Sequence, residues 1–416
     1  MALNIGFVST RFAGTDGVSL EAAKWAEVLN DLGHVSHWFA GELDRAPEIS
    51  MLEPLAHFAH EDVQWIQDRI FGTTKRPPEV SNRIHGQREH LKKRLYDFVE
   101  KYKIDLLIPQ NALTIPMHVS LGLAIAELIA ETGIPTIAHH HDFFWERTRF
   151  AVNSIPDIIG AAFPVASSQV QHVCINSIAS HELAFRTGLS STVVPNVLCF
   201  EKIPTEEPDE YAKDVREEFG IGKDDILILQ PTRVVPRKGI EHAIELVKQL
   251  DDPRCKFVIS HDAGDEGTEY MDYLRQHAKN SGISLSVVAD RVKDLRSKTD
   301  DGKKIYTLWD IYPHADFVTY PSLYEGFGNA FLEAIHFKKP MLVNRYSVYQ
   351  TDIEPLGFDV VTMEQYLTKT AVDQVREVLN NPDRRNSMVE KNYELALKHF
   401  SYTVLKRKLE AVLAKL

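Results

Sequence analysis

The chain has 416 residues, of which 44% are hydrophobic and 25% are charged, a composition typical of a folded protein with room for two domains. Its net charge of −12 argues against a nucleic-acid-binding protein, which needs a basic surface to neutralise phosphate. The three cysteines, Cys174, Cys199 and Cys255, are far apart in sequence and form no CxxC pair. We therefore predict neither a disulfide framework nor a structural zinc site.

The sequence carries no sign of export or membrane insertion. Met1–Ile5 leads directly into a strand-like run with no basic segment or cleavage site, and the longest apolar stretch, near 118–130, is too short to span a bilayer. The basic amphipathic segment Gln87–Lys103 is interpreted as a solvated surface helix rather than a membrane-docking helix. We expect a cytoplasmic protein without membrane contact.

Short β-branched runs alternate with amphipathic helical segments along the whole chain, the pattern of parallel sheets covered by helices. In the first half the predicted strands are Asn4–Ser9, Ile104–Pro109, Ile134–Ala138, Phe163–Ser167, Val173–Ser177 and Thr192–Val197. In the second half they are Ile226–Thr232, Lys256–Ser260, Ser284–Ala289, Asp316–Tyr320 and Pro340–Val343. One helix is clearly delimited, beginning near Pro116 and ending at Gly133.

An acidic, proline-containing stretch separates the two series of strands. We interpret Phe200–Glu210 as an interdomain linker. The pattern predicts an α/β protein with two doubly wound Rossmann-like domains, residues 1–200 and 201–395, facing a central cleft. A C-terminal helix at about residues 396–416 is expected to cross back onto the first domain. Ligands of such domains bind at the carboxyl ends of the strands.

The strongest motif follows the predicted strand Asp316–Tyr320. It reads Glu325-Gly-Phe-Gly-Asn-Ala-Phe-Leu-Glu333, with a helix starting near Asn329. Glycines let backbone N–H groups approach a ligand, and a helix N-terminus favours negative charge, so this loop suits a diphosphate. The two carboxylates can accept hydrogen bonds from sugar and ribose hydroxyls on either side of it.

A second motif follows the predicted strand Ile226–Thr232. It reads Arg233-Val-Val-Pro-Arg-Lys238-Gly, and Arg233 and Lys238 supply the positive charge that a diphosphate leaving group requires. Either motif alone is weak, because such spacings are common on solvated surfaces. Their order, and their position at two strand-to-helix turns, together indicate a nucleotide-sugar site.

Two segments of the first half also follow predicted strands. The turn containing Asp16 and Gly17 is either a phosphate-contacting loop or a tight turn with Ser19 as a helix N-cap. The run His139-His140-His141 is unusual, but adjacent histidines cannot all reach one ion, so we expect no zinc site there.

Together these residues resemble the retaining GT-B glycosyltransferases often called family 4. The family's marks are two glutamates separated by seven residues, here Glu325 and Glu333, and an Arg–Lys pair in a turn like G-R-L-x-x-x-K-G, here Arg233 and Lys238. The resemblance implies the GT-B fold and transfer of a hexose from a nucleoside-diphosphate sugar to an acceptor hydroxyl, with retention at the anomeric carbon. Among family members, we expect similarity to enzymes that make compatible solutes such as mannosylglucosylglycerate.

The resemblance also implies roles for the donor side. Arg233 and Lys238 contact the diphosphate, Glu325 binds the sugar and Glu333 binds the ribose. Backbone groups expected to line the sugar, the phosphates or the base belong to Gly17, Gly326, Phe327, Gly328, Asn329, Arg291 and Val292.

On the acceptor side, His140 or His141 is expected to contact the sugar or phosphate, with Asp142 orienting it. Glu146 and Arg147 are predicted acceptor contacts. Trp145 either stacks on a sugar or packs in the core. The acidic composition favours a small polar acceptor over a lipid.

We expect no cofactor beyond the nucleotide sugar, which is a co-substrate. The acidic segment His261–Gly267 would admit a divalent cation, but no D-x-D motif is present, and the resembling family uses Arg and Lys instead. Three other functions remain as alternatives: a GT-B nucleotide-sugar epimerase, a sugar phosphorylase and a non-catalytic sugar-binding protein. The sequence does not fix the oligomeric state.

Overall fold

Two parallel β-sheets organise the chain. The computed structural model describes residues 2–14, 16–204, 207–262 and 268–416. The chain divides into two units: one comprises Met1–Val197 with Tyr402–Leu416, and the other is Leu198–Ser401. The predicted linker Phe200–Glu210 begins just after the point of division, and its residues Thr205 and Glu206 lie outside the described residues.

Seven strands form the sheet of the first unit. They are β1 (Asn4–Val8), β2 (Val35–Ala40), β3 (Ser50–Leu52), β4 (Leu106–Pro109), β5 (Thr136–His140), β6 (Val170–Cys174) and β7 (Ser191–Val193). Their order is β3-β2-β1-β4-β5-β6-β7, and every neighbouring pair is parallel. The order reverses between β1 and β4, which makes this a doubly wound sheet.

Helices cover both faces of this sheet. They are α1 (Gly17–Asp31), α2 (Glu61–Ile70), α3 (Pro78–Tyr102), α4 (Val119–Thr132), α5 (Pro156–Ala162) and α6 (Ser177–Thr187). Because side chains alternate along a strand, Phe7 packs in the core beneath α1, whereas its neighbour Val8 packs in the core formed with α3 and α4.

The basic segment Gln87–Lys103 is a surface helix, as predicted. It forms most of α3, and its apolar side chains, such as Leu91 and Leu95, are buried in the core shared with α4. Lys92 Nζ forms an ion pair with Glu127 of α4 at 2.9 Å. Within the described residues, no helix is long and apolar enough to cross a membrane.

The second unit contains a six-stranded parallel sheet. Its strands are β8 (Ile226–Gln230), β9 (Cys255–Ile259), β10 (Leu285–Val287), β13 (Phe317–Tyr320), β14 (Met341–Asn344) and β15 (Val361–Met363). The short strands β11 (Ser297–Lys298) and β12 (Lys304–Ile305) form a separate antiparallel ribbon. The order β10-β9-β8-β13-β14-β15 reverses between β8 and β13.

The helices of the second unit are α7 (Val215–Glu218), α8 (Ile240–Leu250), α9 (Glu269–Asn280), α10 (Leu308–Ile311), α11 (Asn329–His336), α12 (Lys369–Asn380) and α13 (Pro382–His399). The last helix, α14 (Tyr402–Leu413), belongs to the first unit. There Leu405 and Leu409 pack with Trp25 of α1. The predicted class, two doubly wound Rossmann-like domains, is confirmed.

Three segments of the first unit differ from the sequence prediction. Phe163–Ser167 is not a strand: Phe163 ends α5, and its apolar side chain is buried between helices instead. The strands β2 and β3 were not predicted. In β2 (VSHWFA) the first three residues are not buried, so the segment lacks a continuous apolar run, and β3 has only three residues.

His118 supplies a test of this packing. It precedes α4 and is 3% exposed. Its Nδ1 accepts a hydrogen bond from Leu121 N at 3.2 Å, and its Nε2–H donates to the Leu55 carbonyl at 2.7 Å. Burial lowers the pKa of His118 to about 4, so the folded protein holds the ring neutral at neutral pH.

The unfolded chain protonates this ring below its ordinary pKa near 6.5, whereas the folded chain does not until about pH 4. Stability from His118 is therefore complete above pH 6.5 and is lost as the pH falls toward 4. We expect this group alone to lower the free energy of unfolding by about 2 kcal/mol at pH 5. Denaturant titrations at pH 7 and pH 5 measure the loss.

His118→Asn keeps a capping acceptor but removes the titration, so its loss between pH 7 and pH 5 should be smaller by about the same amount. The same substitution at His85, an exposed residue of α3, serves as the control and should leave the pH dependence of the wild type unchanged. Equal pH dependence in wild type and H118N would contradict a neutral buried His118.

Candidate active site

Two loops meet at the carboxyl edge of the second sheet, because β8 and β13 are neighbours there. One loop carries the Arg233–Lys238 motif and the other carries Glu325. Leu323 N donates a hydrogen bond to the Arg237 carbonyl at 2.8 Å. Gly239 has φ +58°, and a Cβ at this position would lie 2.6 Å from the Pro321 carbonyl oxygen. The strand order therefore brings the two motifs into direct contact at the point where ligands of doubly wound sheets bind.

The Glu325 carboxylate is the centre of this contact. It is 9% exposed, and Lys238 is 8% exposed. Lys238 Nζ donates to Glu325 Oε1, and Arg237 Nη1 lies 3.2 Å from Oε2. Burial alone would raise the pKa of Glu325, but the charges of Lys238 and Arg237 outweigh it and hold that pKa below its ordinary value. Glu325 is thus ionised and forms ion pairs with two cations, Lys238 and Arg237.

The same site carries more positive than negative charge. Burial lowers the pKa of Lys238, and the nearby charges of Arg237 and Arg233 lower it further, while Glu325 opposes them. Arg233 is exposed and has no ion-pair partner in the described part of the chain. We call Arg233, Arg237, Lys238 and Glu325 the Glu325 cluster. The cluster holds three cations and one carboxylate, which leaves positive charge for an anionic ligand.

Glu333 lies beyond this cluster, one turn into α11. Tyr312 Oη donates to Glu333 Oε2 at 3.0 Å, and burial, followed by the charge of Glu333, raises the pKa of Tyr312 well above its ordinary value. The helix begins at Asn329, directly after Gly328 with φ +125°. A Cβ at Gly328 would lie 2.8 Å from Tyr346 Oη. The Tyr346 hydroxyl donates a hydrogen bond to the Phe327 carbonyl at 2.6 Å.

The loop from Gly326 to Asn329 is thus held in place by the side chain of Tyr346. Lys238, Arg233 and Glu325 lie together, as the sequence predicted, and Glu333 lies on the same loop-to-helix segment with its own hydrogen-bond partner.

The segment predicted to lie near a nucleotide base follows β10. The Arg291 side chain has a structural role: its guanidinium donates hydrogen bonds to Glu218 at 2.8 Å and to the Lys304 carbonyl at 2.6 Å. Val292 pairs with Tyr306 through hydrogen bonds made by its two neighbours, Tyr306 N to Arg291 O at 2.8 Å and Lys293 N to Tyr306 O at 2.9 Å. The N–H and C=O of Val292 itself are left facing away from Tyr306.

A hollow of about 470 Å³ lies beside this segment, at the carboxyl ends of β9 and β10. Its walls include Asp262, Ala289, Asp290 and Lys293. Residues 263–267 of the acidic segment lie outside the described residues. Among the described residues, no three His, Cys, Asp or Glu side chains are arranged to hold a metal ion.

The turn after β1 caps a helix. Asp16 is the N-cap of α1, and its carboxylate accepts hydrogen bonds from Val18 N at 3.1 Å and Ser19 N at 3.2 Å. Ser19 is therefore not the N-cap: it lies inside the helix and donates its hydroxyl to Asp16. Gly17 is the first residue of α1.

The three consecutive histidines have different roles. His140 is 1% exposed, and both its ring nitrogens are used, Nδ1 with Thr114 Oγ1 at 2.6 Å and Nε2 with His172 Nδ1 at 2.8 Å. The predicted substrate contact at His140 is therefore corrected to a packing role. His139 is fully buried and stacks on Trp25, with ring centroids 4.1 Å apart.

Of the three consecutive histidines, His141 is the most exposed, at 9%. Its Nε2 lies 3.0 Å from Gln110 Oε1, which also lies 2.9 Å from His139 Nδ1. Burial lowers the pKa of His141 to about 4, although Asp142 and Asp16 raise it. At neutral pH His141 is therefore an uncharged imidazole, held in place by Gln110.

Sequence reasoning missed Gln110 and Asn111. They follow β4, which neighbours β1 and β5, so they lie at the reversal point of the first sheet. Asn111 Oδ1 accepts from His141 N at 2.9 Å, and Asn111 Nδ2 donates to Asp142 Oδ1 at 2.7 Å. The predicted orienting role of Asp142 is thus corrected: Asp142 binds Asn111 and Arg147, and Gln110 orients His141. The only sequence signal was a Gln-Asn pair directly after a predicted strand.

Two further predicted acceptor contacts have local structural roles. The Trp145 ring stacks on Phe143, with centroids 4.4 Å apart, and Arg186 lies over it at 5.3 Å. Trp145 is partly buried and packs against the core, which is the second of the two predicted roles. Glu146 Oε1 accepts from Phe143 N at 2.7 Å.

Comparisons with known proteins place the chain among glycosyltransferases. A family model described as Glycosyl transferases group 1 matches residues 212–395. The mannosylglucosylglycerate synthase of Petrotoga mobilis is 32% identical over 383 residues, covering 87% of this chain and 86% of the relative. That of Thermotoga maritima is 32% identical over 432 residues, covering 96% and 97%.

Solved structures share the fold at low identity. Sucrose-phosphate synthase of Thermosynechococcus elongatus superposes with a TM-score of 0.69 at 14% identity, covering 99% of this chain and 98% of that one. Anabaena HepE in complex with UDP and glucose gives a TM-score of 0.66 at 13% identity, covering 100% of both chains.

The fold and the Glu325 cluster define a GT-B glycosyltransferase. The chain belongs to the group 1 glycosyltransferase family, together with the mannosylglucosylglycerate synthases that it resembles along most of its length. The alternatives of an epimerase, a phosphorylase and a binding protein are not favoured.

Gly239→Ala tests the contact between the two loops. The added Cβ meets the Pro321 carbonyl oxygen at 2.6 Å at a φ of +58°, so we expect a loss of stability of about 2–4 kcal/mol from backbone strain and clash together. Gly282→Ala is the matched control, because Gly282 has φ +70° and nothing within 4 Å of its Cβ position. It should lose only about 1 kcal/mol. Equal losses in denaturant titrations would show that the loops do not touch at Gly239.

Proposed function

We propose that this enzyme transfers a mannosyl residue from a nucleoside-diphosphate sugar to a hydroxyl of glucosylglycerate, with retention at the anomeric carbon. The observation that carries the transfer chemistry is the Glu325 cluster, where three cations and one carboxylate meet at the reversal point of a doubly wound sheet. The acceptor and the sugar rest on the names of two relatives, each 32% identical over most of the chain.

The donor is bound by the second unit. Arg233 and Lys238 neutralise the diphosphate, and Glu325 accepts hydrogen bonds from sugar hydroxyls while remaining ionised between Lys238 and Arg237. Glu333 accepts from the ribose alongside Tyr312. The base enters the hollow beside Asp290 and meets the backbone of Val292. The UDP-glucose complex of Anabaena HepE, a protein of the same fold, supports a donor of this class.

The chemical step is departure of the diphosphate. Positive charge fixed at the leaving group stabilises the charge that develops there, which lowers the barrier most where water is excluded. A double displacement requires a free carboxylate nucleophile, whereas Glu325 is held by two cations. We therefore propose that the acceptor attacks on the face that the diphosphate leaves and that the departing phosphate takes the acceptor proton.

The first unit supplies acceptor contacts. His141, uncharged and fixed by Gln110, hydrogen-bonds a substrate hydroxyl without adding charge. Glu146 and Arg147 follow in the same loop, after Asp142. The small polar acceptor that we propose matches this set of polar and charged side chains.

The reaction requires no metal ion or further cofactor, because Arg233 and Lys238 provide the charge that a divalent cation supplies in other glycosyltransferases. We propose a cytoplasmic location, which the three free cysteines fit.

A donor and acceptor screen tests the proposal. We expect transfer to glucosylglycerate from one of UDP-, GDP- or ADP-mannose, and unchanged rates when EDTA is added. Product NMR should show the anomeric configuration of the donor in the new linkage. Hydrolysis or isomerisation of the donor without an acceptor product would contradict the proposed transfer, and a rate restored only by a divalent cation would contradict the metal-free step.

Arg233→Gln tests the diphosphate role. Arg233 is exposed and makes no ion pair with another described residue, so its loss should leave the melting temperature unchanged. Removing one charged hydrogen bond should weaken nucleoside-diphosphate binding about 10- to 100-fold. Calorimetric titration measures the affinity.

The matched control is Arg254→Gln, because Arg254 precedes β9 at the opposite edge of the same sheet, where it pairs with Asp252 at 2.6 Å. The affinity of R254Q for the nucleoside diphosphate should equal that of the wild type. Identical affinities for R233Q and R254Q would remove Arg233 from the donor site.

A further inference from the structure

The loop that follows β5 in the first unit presents two arginines close together. After Asp142 the chain forms two short 3₁₀ turns, Phe144–Glu146 and Thr148–Phe150. Arg147 lies between the turns, and Arg149 lies two residues later. Both therefore stand near the carboxyl edge of the first sheet, on the loop that also carries His141.

Arg147 is fixed in position by the end of the sheet. Its Nε donates to Asp142 Oδ2, and the other oxygen of Asp142 accepts from Asn111 Nδ2 at 2.7 Å. Asn111 itself follows β4. The chain Asn111–Asp142–Arg147 uses Nε of Arg147, and no described side chain takes a hydrogen bond from its two terminal nitrogens.

Arg149 has no carboxylate partner among the described residues. Its guanidinium lies over the Phe150 ring, 4.5 Å from the centroid, and Phe150 is itself buried against Phe71. The aromatic ring positions the guanidinium without supplying an anion to its N–H groups. Partial burial lowers the pKa of Arg149, the charge of Arg147 lowers it further, and Asp142 opposes them.

The local charge balance is therefore uneven. The two guanidinium groups repel each other, and the single charge of Asp142, which pairs with Arg147, also attracts Arg149 but does not balance two positive charges. An anion bound between the two would relieve this repulsion. A guanidinium offers two parallel N–H donors that match the two oxygens of a carboxylate.

We propose that Arg149, with Arg147, forms a subsite for the carboxylate of the acceptor. The subsite selects an acidic acceptor over an otherwise similar neutral one. It rests on the proposed function, in which the acceptor carries a glycerate carboxylate, and it assigns recognition of that group to Arg149, a residue that the sequence analysis did not single out.

Acceptor selectivity tests the subsite. Transfer is measured with glucosylglycerate and with glucosylglycerol, which lacks the carboxylate. In Arg149→Gln, the ratio of kcat/KM for the charged acceptor to that for the neutral one should fall about 10- to 100-fold, mainly through KM, because a charged hydrogen bond is lost. A merely structural role would change both acceptors alike.

Arg69→Gln is the matched control. Arg69 also lies over an aromatic ring, that of Trp65 at 4.1 Å, but on α2, so its replacement should keep the selectivity ratio of the wild type. Wild-type selectivity in R149Q, with transfer to glucosylglycerate intact, would overturn the subsite and leave the proposed function standing.

Binding of D-glycerate alone, measured by NMR without any donor, separates the two ideas further. If the wild type does not transfer to glucosylglycerate, the proposed function fails. The subsite is still supported if D-glycerate binds to the wild type and to R69Q but not to R149Q. It is overturned if D-glycerate does not bind to the wild type, or binds equally to R149Q.

Discussion

The buried ion pair between Lys238 and Glu325 is the interaction on which the proposed donor site depends. Each partner would be costly to bury alone, and each becomes tolerable because the other lies against it. Since the two side chains come from different loops, the pair also ties the end of β8 to the end of β13. Arg237 adds a second attachment to the same carboxylate. The surplus positive charge then has a fixed location, which is the feature on which the proposed binding of a diphosphate rests.

The strand order explains why such a pair can form at all. In a doubly wound sheet the chain leaves the central strands in opposite directions, so the loops that follow β8 and β13 face each other with no helix between them. The first unit repeats the arrangement. There the loops after β1, β4 and β5 bring Asp16, Asn111 and His141 to one edge. In both units, polar side chains far apart in sequence become neighbours through the topology alone.

The motifs of the second unit could be predicted from the sequence because each is a contiguous run of residue types with an unusual combination of glycine and charge. The strands β8, β9 and β13 were also predictable, since they are short, apolar and bounded by turns. The strand β2 could not be predicted, because it starts at an exposed residue and only its second half, from Trp38 onward, is buried. The half-buried, polar His37 precedes Trp38, so the segment shows no continuous apolar run.

The roles of the histidines could not be predicted either. Whether His140 or His141 faces the surface depends on Thr114, His172 and Gln110, which come from other elements. Trp145 was ambiguous for the same reason: only the packing of Phe143 and Arg186 on its ring decides the matter. Contacts between residues distant in sequence leave no local pattern, so these assignments required coordinates.

The position of α14 has a consequence for synthesis on the ribosome. The second unit is one uninterrupted segment, whereas the first unit is completed only by the helix that contributes Leu405 and Leu409 to the core around Trp25. During translation the first unit must therefore persist with part of its apolar surface uncovered until the second has been made in full. The unit that begins first is the one that finishes last.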